Sequence, residues 1–166
     1  VYQEELYGRG NYRGFWWSPG SKSIAFLQLD ERPVAKYPIT DHLAYRAKSQ
    51  ATYYPKAGDA LPKVSLAIYQ LGAEAPLPVD LSTYDDEILI SHVNWSPDGQ
   101  QLYFQVQNRQ QTWLDLCTVG SDQSKPRRLL RDTTDAWVQS PGAPHYLDDG
   151  SFLWLSEATG YRHIQH

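Results

Sequence analysis

Methionine is absent from the 166 residues of this chain, and cysteine occurs only once, at Cys117. A single thiol excludes an internal disulfide framework and a zinc site built from several thiolates. Flanked by Leu116 and Val119, this thiol is expected to be a small buried hydrophobic group. Because a natural reading frame starts with Met, we expect Val1 to mark a processed or excised piece of a longer protein.

Long apolar runs and an excess of one charge are also missing. No stretch approaches the roughly 18 apolar residues that a membrane helix needs, so no membrane segment is expected in this chain. The net charge of -4 argues against general affinity for nucleic acid. The five histidines are scattered without the spacing of metal ligands, so we expect neither a metal nor a cofactor.

Short apolar and β-branched stretches bounded by turn residues predict strands. The stretches with this pattern are 23–29, 63–69, 101–106 and 151–155. Eleven glycines and eleven prolines interrupt the chain, and no long face with helical spacing occurs. Only the stretch 41–51 is ambiguous, since it also fits a short helical turn. The sequence therefore predicts a nearly all-β chain.

A hairpin motif is repeated along the chain. Trp17-Ser18-Pro19 and Trp95-Ser96-Pro97 each precede a predicted strand, and a weaker third copy includes Asp149-Gly150. In this motif an aromatic residue ends one strand, and a turn leads into the next. Copies about 50 residues apart are typical of propeller blades, each a four-stranded sheet around a channel. A β-sandwich with repeated hairpins is the alternative.

The first two copies are separated by more than one blade period. The excess corresponds to an insertion of roughly 25–30 residues. Residues 32–60 fit it, because they interrupt the strand pattern and contain Pro33, Pro38 and Pro55. We therefore expect an inserted arm at 32–60.

Five segments, in order along the chain, resemble the dipeptidyl peptidase IV branch of the prolyl oligopeptidase family. They are Tyr2-Gln3-Glu4-Glu5 with Gly14-Phe15-Trp16-Trp17, then Tyr54-Pro55-Lys56-Ala57-Gly58, Asn108-Arg109-Gln110-Gln111, Trp137-Val138, and Gly160-Tyr161-Arg162-His163. The resemblance runs from residue 2 to residue 164. It departs from the family at Gln3, where many relatives have Glu, at Leu61, where they have Asn, and at 139–143, which is shorter.

The resemblance implies a fold and a missing partner domain. Family members have an N-terminal eight-bladed β-propeller followed by an α/β-hydrolase domain, whose nucleophile lies on a Gly-x-Ser-x-Gly elbow. That motif does not occur in this chain. Residues 1–166 are thus expected to form about three four-stranded antiparallel blades of the propeller, without the catalytic domain. By itself the chain should not hydrolyse peptides, and none of its residues is expected to be catalytic.

Glu4 and Glu5 match the two glutamates that bind the substrate's free α-amino group in this family. Two carboxylates can accept charge-assisted hydrogen bonds from an ammonium group. Such an anchor fixes how many residues reach the nucleophile, so dipeptides are released. Tyr2 belongs to the same motif and is expected to orient the pair.

Two functions are compatible with these observations. In the first, the chain is a substrate-gating propeller segment of a serine exopeptidase that releases Xaa-Pro or Xaa-Ala dipeptides. Its partners would be a peptide with a free N-terminus and the hydrolase domain of the same polypeptide. In the second, it is a non-catalytic propeller that binds a protein or a glycan. The resemblance also implies a homodimer contact through arm residues 32–54, which would otherwise be a mobile surface loop.

The remaining charged clusters have simpler interpretations. Asp85-Asp86-Glu87 precedes a predicted strand and is expected to be a solvated turn. The basic cluster is expected to lie on the surface of an outer strand; it contains Lys125, Arg127, Arg128 and Arg131.

Overall fold

The computed structural model describes residues 13–43, 45–147 and 149–166. This part of the chain contains thirteen β-strands and no helix, which confirms the all-β prediction. The strands are β1 (Phe15–Trp17), β2 (Ser23–Asp30), β3 (Lys36–Asp41), β4 (Lys48–Tyr53), β5 (Lys63–Gln70), β6 (Leu77–Pro78), β7 (Ile88–Trp95), β8 (Gln101–Asn108), β9 (Trp113–Gly120), β10 (Arg127–Thr133), β11 (His145–Tyr146), β12 (Phe152–Ser156) and β13 (His163–Gln165).

The strands form three sheets in chain order and one separate hairpin. The first sheet has the order β1-β2-β5-β6, the second β7-β8-β9-β10, and the third β11-β12-β13. Neighbouring strands are antiparallel throughout. The first two sheets have the four strands expected of a propeller blade. The third sheet has three strands among the described residues, one fewer than the repeat predicts.

The repeated hairpin has the same construction in the first two sheets. The hydroxyl oxygen of Ser18 accepts the amide hydrogen of the residue five positions later, at 3.1 Å, and that of Ser96 does the same at 2.9 Å. Gly99 supplies a positive φ of 70° in the second copy. Ser21 occupies the equivalent position in the first copy, with a φ of 52°. The first turn therefore forms although it lacks the Asp-Gly pair.

An apolar core joins the first sheet to the second. Strand alternation places one face of β2 and β5 against β7 and β8. The fully buried side chains of this core include Ala25, Leu66, Ile68, Ile90, Leu102, Phe104 and Val106. A hydrogen bond crosses this core, since the indole N–H of Trp95 donates to the backbone carbonyl of Trp16 at 2.9 Å.

The second and third sheets share a smaller core with more polar contacts. Its apolar part contains Leu114, Leu116, Val138 and Trp154. The polar part includes Gln105, which is wholly buried. Its amide nitrogen donates to the carbonyl of Gly142 at 2.5 Å, and its amide oxygen accepts the hydroxyl hydrogen of Ser140 at 2.8 Å. The buried glutamine therefore fixes the segment that connects the second sheet to the third.

The segment 32–60 contains the separate hairpin. Strands β3 and β4 pair from Lys36↔Tyr53 to Asp41↔Lys48, so the ambiguous stretch 41–51 contributes to a hairpin. Every residue of β3 is exposed, and β4 has only one that is partly buried. In the chain, the hairpin lies between β2 and β5, and these two strands pair with each other along their full length. Most of the described residues in 32–60 are exposed, as expected for an arm. That this segment is a separate insertion stays a prediction.

Candidate functional site

The predicted amine anchor, Glu4 and Glu5, lies outside the described residues, and so does Tyr2. Their role stays a prediction. The structure does describe the place where the chain enters the first sheet. The carbonyl of Gly14 accepts the amide hydrogen of Leu27 at 2.9 Å, one residue before β1 begins.

Several connecting segments gather at this edge of the sheets, which we call the arm-side edge. It is the edge where β2 and β8 end and where β1, β5, β7 and β9 begin. The two sheets touch there through the guanidinium of Arg109, which donates to the carbonyl of Asp59 at 2.8 Å. The repeated hairpins lie at the opposite edge. The segments at the arm-side edge are 31–62, 108–112 and 134–144.

A groove of about 510 Å³ lies at this edge between the second and third sheets. We call it the linker groove, because one wall is the linker 134–142. It is lined by Asp132, Thr133, Thr134, Asp135, Trp137, Val138, Gln139, Pro141, Leu155, Glu157, Ala158, Gly160 and Arg162. Trp137 is 67% exposed there, and its indole N–H donates to the side-chain oxygen of Gln111 at 2.6 Å. That bond orients the ring and leaves most of its surface open to solvent.

The charges of the linker groove are partly neutralised within it. Glu157 forms an ion pair with Arg162 at 2.9 Å. The buried carboxylate of Asp132 accepts hydrogen bonds from the indole N–H of Trp154 at 3.3 Å and the hydroxyl of Ser156 at 2.7 Å. Asp132 therefore holds the third sheet against the second. An exposed aromatic ring beside exposed acidic groups is suited to contact with a peptide or another polar ligand.

A second groove of about 530 Å³ lies at the base of the arm, and we call it the root groove. Its walls are mainly apolar and aromatic. They are formed by Leu29, Glu31, Val34, Tyr53, Tyr54, Pro55, Lys56, Ala57, Leu61, Pro62, Leu89, Arg109 and Gln111. Gln111 thus lines the root groove and also holds Trp137 in the linker groove.

The turn 108–112 lies between the two grooves and is stabilised by its own first residue. The side-chain oxygen of Asn108 accepts the amide hydrogens of Thr112 at 2.9 Å and Trp113 at 3.3 Å. Its side-chain nitrogen donates to the hydroxyl of Thr112 at 2.9 Å. Gln111 takes a positive φ of 58° in this turn. The sequence singled out 108–111 only by its resemblance to the family. It predicted no contact for any residue of this segment.

A buried carboxylate to which the sequence assigned no role lies on β9 of the second sheet. Asp115 is wholly buried, and it accepts hydrogen bonds from Arg131 at 2.5 and 2.7 Å and from the hydroxyl of Tyr84 at 2.8 Å. Burial raises the pKa of Tyr84. Arg131 belongs to the basic cluster that was expected on the surface. All four residues of the cluster are exposed, as the sequence predicts, and Arg131 in addition forms an ion pair with Asp115 on the neighbouring strand.

Cys117 is buried, as the sequence predicts. Burial raises the pKa of its thiol to about 11, against the smaller opposing influence of the Tyr84 hydroxyl at 3.3 Å from its sulfur. A thiol of this kind is almost entirely protonated near neutral pH and is a poor nucleophile. Cys117 is therefore a packing residue.

The remaining sequence interpretations concern metal ions and membranes. Among residues 13–43, 45–147 and 149–166, no three His, Cys, Asp or Glu side chains are grouped so that they could hold a metal ion. Within the same residues, no helix is long and apolar enough to cross a bilayer.

Asp85, Asp86 and Glu87 are exposed; Asp86 forms an ion pair with Lys63 and Glu87 with Arg109.

The consecutive antiparallel sheets, packed face against face, define a segment of a β-propeller domain. The family model described as the dipeptidyl peptidase IV (DPP IV) N-terminal region matches residues 1–166, so the chain belongs to this family.

Individual relatives agree with this assignment. The chain is 26% identical to dipeptidyl peptidase 4 of Bos taurus, over 100% of the chain and 24% of the relative. It is 24% identical to dipeptidyl peptidase 8 of Mus musculus, over 99% of the chain and 23% of the relative. Among solved structures, Porphyromonas gingivalis dipeptidyl peptidase 4 superimposes with a TM-score of 0.85 at 26% identity, covering 99% of this chain and 23% of that one. The chain thus spans about a quarter of the length of these relatives.

Proposed function

We propose that this chain is the substrate-gating and N-terminus-recognising propeller segment of a serine exopeptidase that releases Xaa-Pro or Xaa-Ala dipeptides. Glu4 and Glu5 bind the α-ammonium group of the peptide, and Tyr2 orients them. A hydrolase domain elsewhere in the same polypeptide performs the acyl transfer. The observation that carries the proposal is the match of the dipeptidyl peptidase IV N-terminal region to the whole chain.

The chemistry of an ammonium anchor supports this assignment. An α-ammonium group has three donors and one positive charge, and each carboxylate can accept two or more hydrogen bonds. A neutral or acetylated N-terminus offers neither the charge nor the same donors. A pair of glutamates therefore distinguishes free N-termini from blocked ones and from internal peptide bonds.

The topology of the described residues is consistent with a site at the arm-side edge. The chain enters β1 at this edge, and Glu5 precedes Phe15 by ten residues. A segment of this length spans at most about 35 Å, so the arm-side edge is within reach of the two glutamates. The linker groove, with its exposed Trp137, opens at the same edge. A peptide held by Glu4 and Glu5 would meet surfaces of the propeller there.

The arm supplies the proposed contact with a second copy of the protein. Residues 32–54 expose several large apolar side chains, namely Tyr37, Ile39, Leu43, Tyr45 and Tyr53. Apolar side chains on a projecting hairpin are the kind of surface that association buries. We expect the full-length protein to form homodimers that use this arm.

The first experiment uses the full-length protein that contains this chain. Cleavage of an Ala-Pro arylamide is measured with the substrate's N-terminus free and then acetylated. The proposal expects cleavage of the free form alone. Equal cleavage of both forms would overturn the amine anchor and indicate an oligopeptidase. No cleavage of either form by folded protein would favour the non-catalytic binding propeller.

Substitutions assign the effect to the two glutamates. Glu4→Gln and Glu5→Gln should each lower kcat/KM for the free substrate by about 10- to 100-fold, since each removes a charge-assisted hydrogen bond. Glu74→Gln is the matched control, because Glu74 is an exposed glutamate at the opposite edge of the first sheet. A loss of equal size in the control would contradict the assignment.

A further inference from the structure

The turn 108–112 makes contacts in two opposite directions from one end of the second sheet. Arg109 points toward the arm, and Gln111 contacts the linker that forms a wall of the linker groove. The turn itself is braced by Asn108, so its two outward contacts start from a rigid base. Neither contact is needed to pair β8 with β9, which are already joined along their length.

Arg109 connects the second sheet to the root of the arm. Its guanidinium donates to the carbonyl of Asp59 at 2.8 Å and forms an ion pair with Glu87 at 3.3 Å. Asp59 closes a tight turn, in which its amide donates to the carbonyl of Lys56 at 2.9 Å and its carboxylate accepts the Lys56 amide hydrogen at 2.9 Å. The ammonium group of Lys56 lies 4.8 Å from the ring centroid of Tyr37 on β3. A continuous series of contacts therefore runs from Arg109 into the arm.

The direction of the arm has to be set at its root. All residues of β3 and nearly all of β4 are exposed, so the strands bury little surface that could fix their orientation. At the root, by contrast, Val34 is buried, and the amide of Tyr54 donates to the carbonyl of Ala35 at 3.0 Å. The bond from Arg109 to Asp59 joins this root to a different sheet. It therefore contributes to fixing how the arm lies relative to the second sheet.

Gln111 fixes the wall of the linker groove in a similar way. Its backbone carbonyl accepts the amide hydrogen of Val138 at 2.8 Å, and its side-chain oxygen accepts the indole hydrogen of Trp137 at 2.6 Å. The far end of the linker is held separately by Gln105, through Ser140. Loss of the Gln111 side chain would thus release the Trp137 ring and leave the rest of the linker attached.

We propose that Arg109 and Gln111 are positioning residues, through which one turn sets both the direction of the arm and the orientation of the Trp137 ring in the linker groove. Arg109 acts through the Asp59 turn on the surface that meets a second copy. Gln111 acts through Trp137 on the surface beside the bound peptide. The functional consequences rest on the homodimer and peptide-binding roles proposed above, whereas the structural effects are measurable without them.

The test uses two variants of the full-length protein and two matched controls. Arg109→Gln removes the guanidinium that reaches Asp59. Gln111→Asn shortens the amide by one methylene and suits a position with positive φ, which asparagine tolerates well. The controls are Arg127→Gln, which neutralises an exposed arginine on the outermost strand, and Gln100→Asn, which makes the same amide change at an exposed residue of the opposite edge.

The measurement is hydrogen exchange in two segments, the arm (36–53) and the linker (134–142). Arg109→Gln should accelerate exchange in the arm about tenfold and leave the linker unchanged. Gln111→Asn should accelerate exchange in the linker and shift the Trp emission, leaving the arm unchanged. In sedimentation, Arg109→Gln should weaken the dimers. In activity assays, Gln111→Asn should raise KM for peptides with little change in kcat.

A general loss of stability would not produce this pattern, in which each variant accelerates exchange in a different segment. Equal acceleration of both segments in either variant would overturn the proposal, and so would exchange rates indistinguishable from those of the controls. If the wild-type protein sediments as a monomer, the homodimer role fails, and the exchange of the arm in Arg109→Gln still decides the positioning role. If no peptide is cleaved, the linker exchange and Trp emission decide the role of Gln111 in the same way.

Discussion

Arg131 and Asp115 lie directly opposite each other on β10 and β9, and they form a bidentate ion pair of 2.5 and 2.7 Å. The carboxylate is wholly buried, whereas the arginine side chain is 36% exposed. The guanidinium also lies 4.6 Å from the ring centroid of Trp113. The outermost strand of the second sheet is thus held by a charge pair that is covered on one side by an aromatic ring.

Replacing Arg131 by Met should destabilise the propeller. Among the described residues, the change leaves the buried Asp115 carboxylate with Arg128, at 3.6 Å, and the Tyr84 hydroxyl as partners. Removing one member of a buried pair costs about 3 kcal/mol, at the lower end of the usual range because Arg131 is partly exposed. The shift is measured by urea unfolding of the full-length protein. Arg32→Gln, which breaks an exposed pair with Asp30, should leave the midpoint unchanged, and equal shifts would contradict the prediction.

The buried thiol of Cys117 should make stability depend on alkaline pH. Its pKa is raised from an ordinary value near 9 to about 11 in the folded chain. Below pH 9 the thiol is protonated in both states, so its contribution is fully present. Between pH 9 and 11 the unfolded chain loses the proton first, so stability falls by roughly 2–3 kcal/mol.

The measurement is the difference in unfolding free energy between the wild type and Cys117→Ala, followed from pH 8 to 11. Over this range the unfolding free energy of the wild type should fall relative to that of Cys117→Ala. Alkylation by iodoacetamide at pH 8 should also be slow in the folded protein and fast after denaturation. A flat difference curve, or rapid alkylation of folded protein, would show that the thiol is not held in its neutral form.

Replacing Gly99 by Ala should destabilise the second hairpin turn. Gly99 has a φ of 70°, which L-residues rarely adopt, and an added Cβ would lie 3.4 Å from the Cδ of Pro19. The expected cost is about 1–2 kcal/mol. Gly20→Ala is the matched control, since no atom lies within 4 Å of a Cβ there and its φ is ordinary. Thermal unfolding of the two variants checks the difference, and equal losses would refute it.

Replacing Trp95 by Phe should weaken the packing of the first sheet on the second. The indole N–H of Trp95 is the donor to the buried Trp16 carbonyl, and Phe leaves that carbonyl without its partner. Such a loss costs about 2 kcal/mol. Trp17→Phe serves as the comparison, because Trp17 is 46% exposed at the end of β1. The prediction requires a clearly larger drop in the denaturation midpoint for Trp95→Phe.

Strand positions were predictable from the sequence because alternation and turn residues act locally. The stretches 23–29, 63–69 and 101–106 all lie inside observed strands, and 151–155 differs from β12 by one residue at each end. The stretch 41–51 within the arm was ambiguous, since an exposed hairpin has no buried face and therefore no alternating apolar pattern. Its strands become evident only from the register between β3 and β4.

The contacts of the candidate site were less predictable, because they join residues far apart in sequence. Arg109 and Asp59 are 50 positions apart, and Gln111 and Trp137 are 26 apart. Nothing local in either segment specifies its partner. The burial of Asp115 was missed for the same reason, since a lone acidic residue within a strand is usually solvated. The proposed amine anchor at Glu4 and Glu5 rests only on the resemblance of this segment to a family motif.

The pairing of Asp30 with Lys63 places the two ends of the arm-bearing segment directly opposite each other in the first sheet. A short reverse turn could therefore close this hairpin without altering a single rung of the ladder. The entropic cost of closing a loop grows only slowly with its length, so the stability of the first sheet depends little on the length of the segment inserted at this point. Evolution can lengthen, shorten or exchange the projection here while the blade remains intact. An engineer could use the same position to graft a foreign hairpin.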